Sequence, residues 1–154
     1  MDKTNVMRIL DLKKIKYKPY EYSSELTEGV LIAEILGEDE KRVFKTLVTQ
    51  SATKNYYVFV IPVAKTLDLK AAAKTVGEKS VSMLKQKELF PLTGYIHGGC
   101  SPVGMKKQFK TVIDTTAKDF DTFFVSAGKV GRQIQVSPSE LADLINAEFA
   151  EITV

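Results

Sequence analysis

Apolar residues recur along this chain with two different periods, which predicts short helices interleaved with short strands. Thr4 and Asp68 stand where N-caps are expected, and Gly37 and Gly77 stand where helices should end. Residues 137–140 (SPSE) form a capping box with proline at the first helical position. The predicted helices are 5–14, 29–36, 69–74, 83–89 and 138–147.

The remaining apolar runs are short, and several alternate with polar residues, as half-buried strands do. Because strands and helices mix without a strict βαβ rhythm, the sequence predicts an α+β fold with a mixed β-sheet. The length of 154 residues favours a single domain over residues 1–154. The predicted strands are 17–22, 43–48, 56–63, 111–114, 122–126 and, as the last one, 132–136.

The composition is that of a soluble globular protein, with 44% hydrophobic and 27% charged residues. No apolar run approaches the roughly 20 residues that span a bilayer, and the charged N-terminal segment lacks the features of a signal peptide. The single cysteine excludes an internal disulfide framework and suits a reducing compartment. We therefore expect a cytoplasmic protein without membrane contact.

The net charge of +3 is unevenly distributed along the chain. Residues 1–20 and 65–87 each carry six basic against two acidic residues, and residues 104–132 carry six against three. Residues 21–42 carry seven acidic against two basic residues. This segregation suits either a positive face for a phosphate backbone or ordinary solvated helix faces, and the sequence leaves both open.

Residues 93–107 (TGYIHGGCSPVGMKK) hold the densest cluster of turn-forming residues. They begin with an aromatic, strand-like run. Gly98 and Gly99 permit positive φ and close approach of the backbone to a ligand, because neither has a Cβ atom. Pro102 restricts Ser101 to an extended conformation and stiffens the loop. The pattern fits either a ligand-binding loop or an ordinary turn.

Lys45 lies in the middle of a predicted strand, on the same face as Val43 and Leu47. A lysine with apolar neighbours on its own face either extends its ammonium group to water or points into a wet pocket. A second glycine-bearing turn follows a strand at residues 125–131 (VSAGKVG).

The usual catalytic and metal-binding patterns are missing from the sequence. His97 is the single histidine, and its neighbours Cys100 and Ser101 are too close in sequence to reach the geometry of a catalytic dyad. Cys100 fits a small buried thiol better than a nucleophile. One cysteine and one histidine do not make a zinc site, and no Walker or dinucleotide fingerprint occurs. No metal ion or cofactor is expected.

Residues 43–48, 93–107 and 125–131, together with the VIPVAKTLDLK run at 60–70, resemble the YbaK/EbsC family of aminoacyl-tRNA deacylases. This family is related to the editing domain of some bacterial prolyl-tRNA synthetases. The resemblance extends from about residue 5 to the C-terminus. It implies a compact mixed β-sheet, partly barrel-like and surrounded by helices.

The resemblance also implies an activity. It indicates release of cysteine from mischarged Cys-tRNA(Pro), with Cys-tRNA(Cys) as an additional candidate substrate, and with the cysteinyl thiol attacking its own ester carbonyl. The protein would then orient the aminoacyl group and stabilise charge rather than provide a nucleophile. The resemblance assigns the catalytic role to Lys45. It assigns substrate binding to Tyr22, Thr46, Gly98, Gly99, Ser101, Pro102, Gly104, Ser126 and Gly128.

One position departs from the family pattern, because some relatives have an acid where this chain has Gln133. A carboxylate that binds the substrate amine is therefore not expected here. Two other functions remain open at this point: an Ala-tRNA(Pro) deacylase, which would need an activated water, and a non-catalytic module that binds tRNA or a synthetase. The expected partners are the aminoacyl end of tRNA and, in a transient complex, prolyl-tRNA synthetase.

Overall fold

The computed structural model describes residues 2–25 and 29–154. Within them, no helix is both long and apolar enough to cross a membrane. The helices are α1 (Asn5–Leu12), α2 (Gly29–Leu36), α3 (Leu69–Thr75), α4 (Gln86–Thr93) and α5 (Pro138–Ile145), with 3-10 turns at Glu40–Arg42 and Thr115–Asp119. The strands are β1 (Tyr17–Glu21), β2 (Phe44–Ser51), β3 (Tyr56–Pro62), β4 (Val81–Met83), β5 (Lys110–Asp114), β6 (Phe123–Ser126), β7 (Arg132–Val136) and β8 (Glu148–Ala150).

The strands form two sheets, and the predicted α+β class is confirmed. A three-stranded antiparallel sheet has the order β1-β7-β6, and a five-stranded mixed sheet has the order β4-β2-β3-β5-β8. The sheets meet where Val43, just before β2, bridges Phe124 of β6. The Phe44 and Phe123 rings, 5.1 Å apart between centroids, pack across this junction. The five-stranded sheet is the mixed one, because β5 runs parallel to both of its neighbours.

The alternation of side chains along β3 explains how the five-stranded sheet buries both faces. Val58 and Val60 point into the main core between the two sheets, where α1 and α5 also pack. Phe59 and Ile61 point into a second core, which α3 covers. All four side chains are fully buried. The sequence therefore reads as a continuous apolar run.

The predicted helix caps are confirmed. Thr4 Oγ1 accepts a hydrogen bond from the Met7 amide at 3.2 Å, and the Asp68 carboxylate accepts from two amides of α3. The Ser137 hydroxyl accepts from the Glu140 amide at 3.3 Å, with Pro138 as the first residue of α5.

The prediction of a helix over residues 83–89 is confirmed for 86–89 and was wrong in its bounds. Met83 ends strand β4, which pairs with Thr49 of β2, so a contact distant in sequence overrides the local helical pattern. The helix starts at Gln86 and continues through Pro91 to Thr93. The Thr93 hydroxyl donates to the Leu89 carbonyl at 2.8 Å in this last turn. The run that follows residue 93 is a loop rather than a strand.

Two further sequence predictions differ from the structure. β7 is not the last strand, because β8 adds to β5 after helix α5. β8 is three residues long, too short for a detectable alternation. The mixed sheet is also not the sole sheet, since the antiparallel β1-β7-β6 sheet stands apart from it and contacts it mainly through β2 and β6.

Candidate functional site

A cavity of about 140 Å³ opens beside β2, where β6 separates from it. Val43 and Phe124 form a single bridge between these strands, and no further bridge joins β2 to β6 in the described part of the chain. On the far side, β4 pairs with β2 only from Thr49 onward. The first half of β2 therefore has an open edge, and the cavity lies along it.

The register of β2 shows which main-chain groups face the cavity. The Val63 amide donates to Val43 at 2.9 Å, and the Ser51 amide donates to Asn55 at 2.8 Å. Because hydrogen-bonded pairs alternate in an antiparallel ladder, Thr46 belongs to a non-hydrogen-bonded pair. Its N–H and C=O point away from β3, toward the open edge.

The lining confirms that the cavity follows an edge, because consecutive residues from both faces of the strand contribute to it. The residues that line the cavity are Gly29, Ile32, Val43, Phe44, Lys45, Thr46, Leu47, Val63, Leu89, His97, Gly98, Cys100, Ser126 and Gln133. No aspartate or glutamate of the described residues is among them.

Lys45 places a partly buried cation on this lining. Burial lowers the pKa of its ammonium group below the usual 10.5. No carboxylate forms an ion pair with Lys45 within residues 2–25 and 29–154. A partly desolvated ammonium group without a protein anion is suited to bind an anionic or carbonyl oxygen of a ligand.

Two buried polar atoms in the cavity wall also lack partners among the described residues: Thr46 Oγ1 and Gln133 Oε1. An unsatisfied buried polar atom costs free energy unless a ligand or water satisfies it. The other atom of the Gln133 amide, Nε2, donates to the Tyr22 hydroxyl at 3.3 Å. Tyr22 therefore orients Gln133 instead of lining the cavity itself, and burial raises the pKa of its phenol.

The two adjacent glycines of the loop have different environments. The Gly99 amide donates to the Ile96 carbonyl at 3.0 Å, closing a turn in which Gly98 has φ +87°. Gly98 lines the cavity, and its amide has no main-chain acceptor within the described residues. Gly99 packs against the second glycine turn instead, where a Cβ atom would lie 2.8 Å from the Val130 nitrogen. Of the two adjacent glycines, Gly98 is therefore the one whose amide can donate to a ligand, because the Gly99 amide is already used within the turn.

Gly104 and Gly128 both surround the ring of Tyr95 rather than the cavity. A Cβ atom on Gly104 would lie 2.9 Å from Tyr95 Oη, and one on Gly128 would lie 3.2 Å from Tyr95 Cε1. Both glycines have positive φ, +79° and +98°. The Tyr95 hydroxyl donates to the Val103 carbonyl. These glycines therefore hold the two loops together through one aromatic side chain.

The hydroxyl groups of the two predicted serines act locally. Ser101 is fully buried away from the cavity, and its hydroxyl accepts from the Val103 amide at 3.3 Å. Pro102 beside it is buried too. Ser126 does line the cavity, and its hydroxyl accepts from the Gly128 amide at 3.1 Å. The Ser126 hydroxyl hydrogen remains available as a donor.

Cys100 and His97 both line the cavity, and Cys100 is buried whereas His97 is exposed. Burial raises the pKa of the Cys100 thiol to about 12, so the thiol is protonated near neutral pH. No hydrogen bond joins the two side chains in the described part of the protein. Nothing in the geometry makes Cys100 a nucleophile.

The structure thus brings together four of the ten predicted site residues: Lys45, Thr46, Gly98 and Ser126. It adds Gln133 of β7, a position that the sequence singled out only because it lacks a carboxylate, and whose side chain is buried. It also adds Ile32 and Leu89, which no sequence pattern distinguishes from ordinary core residues. Among the described residues, His, Cys, Asp and Glu side chains form no cluster of three that could hold a metal ion.

Comparisons with solved structures agree with this architecture. The crystal structure of a hypothetical protein matches with a TM-score of 0.91 and 22% identity, covering 98% of this chain and 100% of that one. A second crystal structure, described as "a putative trans-editing enzyme for prolyl tRNA synthetase", matches with a TM-score of 0.85 and 21% identity over 99% of both chains. At these identities the likeness establishes the fold.

Sequence comparisons identify the family. The chain is 47% identical over 153 residues to an Enterococcus faecalis protein named "Putative Cys-tRNA(Pro)/Cys-tRNA(Cys) deacylase EbsC", with 98% of this chain and 93% of the relative covered. The profile of the aminoacyl-tRNA editing domain matches residues 30–144, which include β2, the Gly98 loop and Gln133. The resemblance seen in the sequence is therefore confirmed, and the chain belongs to the aminoacyl-tRNA editing domain family.

Proposed function

We propose that this protein is an aminoacyl-tRNA deacylase that releases cysteine from Cys-tRNA(Pro), and also acts on Cys-tRNA(Cys). The observation that carries the proposal is the partly buried Lys45 ammonium group beside a small cavity that contains hydrogen-bonding groups but no activated nucleophile. The name of the Enterococcus relative supports the choice of substrate. We propose the cytoplasm as the compartment, because such a substrate is used in translation.

The cavity size supports a small aminoacyl group as the bound moiety. Its volume of about 140 Å³ is close to that of cavities that admit a benzene-sized molecule. An aminoacyl side chain of the size of cysteine fits this space, whereas a nucleoside does not. The side chains of Ile32 and Leu89 form part of the apolar wall of the cavity. The terminal adenosine would then lie at the cavity mouth.

We assign the polar atoms of the lining to parts of the substrate. Lys45 binds the ester carbonyl or the ribose oxygens by charge-assisted hydrogen bonds. The Gly98 amide and the Ser126 hydroxyl supply donors to the oxyanion that develops on the carbonyl oxygen. Thr46 Oγ1 and Gln133 Oε1, which have no hydrogen-bond partner among the described residues, accept from the α-ammonium group. Gln133 thereby takes a place that a carboxylate holds in some relatives, without adding a charge.

The substrate thiol supplies the nucleophile in this proposal. The cysteinyl sulfur loses its proton and attacks the ester carbonyl, the bond from the carbonyl carbon to the ribose oxygen breaks, and the ribose oxygen gains a proton. The products are a thiolactone and uncharged tRNA. The cavity contributes by holding sulfur and carbonyl in reactive geometry, an effect that can supply several kcal/mol. An Ala-tRNA deacylase would instead need a base for water, and no carboxylate of the described residues lines the cavity.

The direct test measures deacylation of Cys-tRNA(Pro) by the purified protein against the uncatalysed rate. Deacylation well above that rate is expected, and its absence would contradict the proposed function.

Cys100→Ala and His97→Ala are each expected to retain most of the activity. The Cys100 thiol is protonated near neutral pH because burial raises its pKa to about 12, and no side chain of residues 2–25 and 29–154 hydrogen-bonds to His97. Single-turnover rates of both variants should stay within roughly tenfold of the wild-type rate. A loss of about a thousandfold in either folded variant would instead establish a protein nucleophile or base.

We propose prolyl-tRNA synthetase as a transient partner that supplies tRNA selection. The domain presents scattered basic segments, which suit contacts to phosphate groups but do not read tRNA identity. The purified protein should therefore deacylate Cys-tRNA(Pro) and Cys-tRNA(Cys) at similar rates, and its affinity should fall steeply with added salt. Adding the synthetase should increase the preference for tRNA(Pro). Strong discrimination by the isolated protein would argue against this partner.

A further inference from the structure

Two large apolar side chains remain exposed beside the mouth of the cavity. Phe90 is 55% exposed and Ile96 is 56% exposed. Their chain neighbours Leu89 and His97 both line the cavity. Each exposed side chain thus stands one residue from the cavity lining, Phe90 in α4 and Ile96 in the turn that carries Gly98. We call Phe90, Ile96 and the nearby Lys106 the rim platform.

Lys106 is held next to the Phe90 ring by one main-chain and one side-chain hydrogen bond. The Lys106 amide donates to the Thr93 carbonyl at 3.0 Å, which ties the loop to the C-terminal end of α4. Its ammonium group donates to the Pro91 carbonyl at 3.4 Å and lies 5.4 Å from the centroid of the Phe90 ring. The aromatic face and the cation are therefore positioned together before any ligand binds.

The charge around the rim platform is positive. Residues 84–107 contain Lys85, Lys87, Lys106 and Lys107, against one acidic residue, Glu88. All four lysines are exposed, and none of them forms an ion pair in the described part of the chain. An exposed aromatic ring among free cations is the combination that binds single-stranded nucleic acid, because bases stack on the ring and phosphates pair with the cations.

The small cavity adds an independent constraint. If the aminoacyl group occupies about 140 Å³ beside Lys45, the nucleotides attached to it must bind outside, within one or two residue lengths of the mouth. Phe90 and Ile96 of the rim platform are each one residue from the cavity lining, which is within that reach. A protein partner would gain less from it, because the cations around Phe90 suit a polyanion better than an apolar surface.

We propose that the rim platform binds the single-stranded 3′ end of RNA, with a base stacked on Phe90 and Ile96 and a phosphate paired with Lys106. This inference rests on the proposed deacylase function and specifies where its RNA substrate is bound. Base stacking on an aromatic ring contributes substantially and tolerates different sequences, so this surface supplies affinity without reading tRNA identity.

The first test measures binding of a fluorescein-labelled, uncharged RNA tetramer, ACCA, by anisotropy. Phe90→Ala should raise the Kd by about 5- to 100-fold relative to the wild type. Phe90→Trp, which keeps an aromatic ring, should bind the tetramer about as tightly as the wild type, and Leu12→Ala should leave the Kd unchanged. Leu12 is a matched control, since its side chain is 81% exposed on α1. Lys106→Gln should reduce the dependence of log Kd on log salt by about 0.7, whereas Lys70→Gln on α3 should not.

The second test separates this inference from the proposed function by comparing two substrates. With Cys-tRNA(Pro), Phe90→Ala should raise KM and leave kcat nearly unchanged; with cysteine ethyl ester, which has no nucleotide, both constants should match the wild type. An equal loss of kcat/KM on both substrates would show that Phe90 has a structural role and would overturn the proposal for the rim platform. If the Phe90→Ala variant has the KM and Kd of the wild type and deacylation is intact, the proposal for the rim platform alone is overturned. The exposed surface would then be a candidate contact for a protein partner. Failure of the wild type to deacylate any Cys-tRNA would overturn both proposals.

Discussion

Lys45→Met is expected to reduce deacylation of Cys-tRNA by about 10²- to 10³-fold, the loss that follows removal of one preorganised donor from a site of developing negative charge. Methionine keeps the length and apolar stem of lysine but removes the ammonium group, so packing beside β2 should be preserved. Single-turnover rates on Cys-tRNA(Pro) measure the effect. Lys70→Met on α3, an exposed lysine remote from the cavity, is the matched control.

The same substitution is expected to stabilise the protein. Burial lowers the pKa of Lys45, so between that pKa and 10.5 the folded state binds fewer protons than the unfolded state. The free energy of unfolding therefore rises with pH in this window, which means that the charged form is the costly one. Removing the charge should therefore raise the free energy of unfolding at pH 7. Chemical denaturation with urea tests this.

The pH dependence supplies a further check on Lys45. If the ammonium form is required, kcat/KM should decline on the alkaline side at a pH below the ordinary lysine pKa of 10.5. Lys45→Arg should lack this decline, because a guanidinium group stays protonated, although its different geometry should lower the rate. Wild-type turnover by a folded Lys45→Met variant would end the catalytic assignment.

Cysteine esters of tRNA(Pro) should react far faster than serine or alanine esters of the same tRNA. Serine is nearly isosteric with cysteine, so the cavity of about 140 Å³ does not exclude it by size. A thiol with a pKa of about 8.5 is ionised to a useful extent near neutral pH, whereas a hydroxyl is not. Alanine has no internal nucleophile at all. Parallel deacylation of the three esters measures the difference.

The identity of the first product tests the same mechanism independently of rate. Cyclisation forms a thiolactone without taking oxygen from solvent, and hydrolysis to free cysteine follows. Rapid quenching with mass analysis should therefore detect the thiolactone before cysteine. Comparable rates for serine and cysteine esters, with solvent oxygen in the first product, would mean that an activated water does the chemistry. Lys45 and Gly98 would then keep their places, and the role of the substrate thiol would be withdrawn.

The sequence predicted best what depends on residues close together in the chain. The caps at Thr4 and Asp68 depend on neighbouring amides, and the strand around Lys45 follows from a period of two. Lys45, Thr46 and Gly98 were placed in one site through their resemblance to a family motif. Their contact itself needs the pairing of β2 with β3 and its separation from β6, which local patterns do not contain.

The glycines of the two loops match the family motif, but most of them are required by packing rather than by ligand binding. From the sequence, the glycines of both loops are predicted to face the ligand. Gly98 fits that expectation, but Gly99 makes room for the backbone at Val130, and Gly104 and Gly128 make room for Tyr95. Gly99 and Val130 are 31 residues apart and Gly128 and Tyr95 are 33 apart, so local sequence patterns do not distinguish a glycine that admits a ligand from one that admits a neighbour.

The open edge of β2 has a consequence for how the substrate range can change. Unpaired strand edges invite pairing with other chains and hence aggregation. Here the exposed main-chain groups around Thr46 are recessed in a narrow cavity, where a strand from another molecule cannot enter. The narrow cavity that we propose for small aminoacyl groups therefore also shields this strand edge from pairing with another chain. Substitutions that enlarge the cavity to accept bulkier substrates should therefore also make the edge of β2 more accessible and the protein more prone to aggregate.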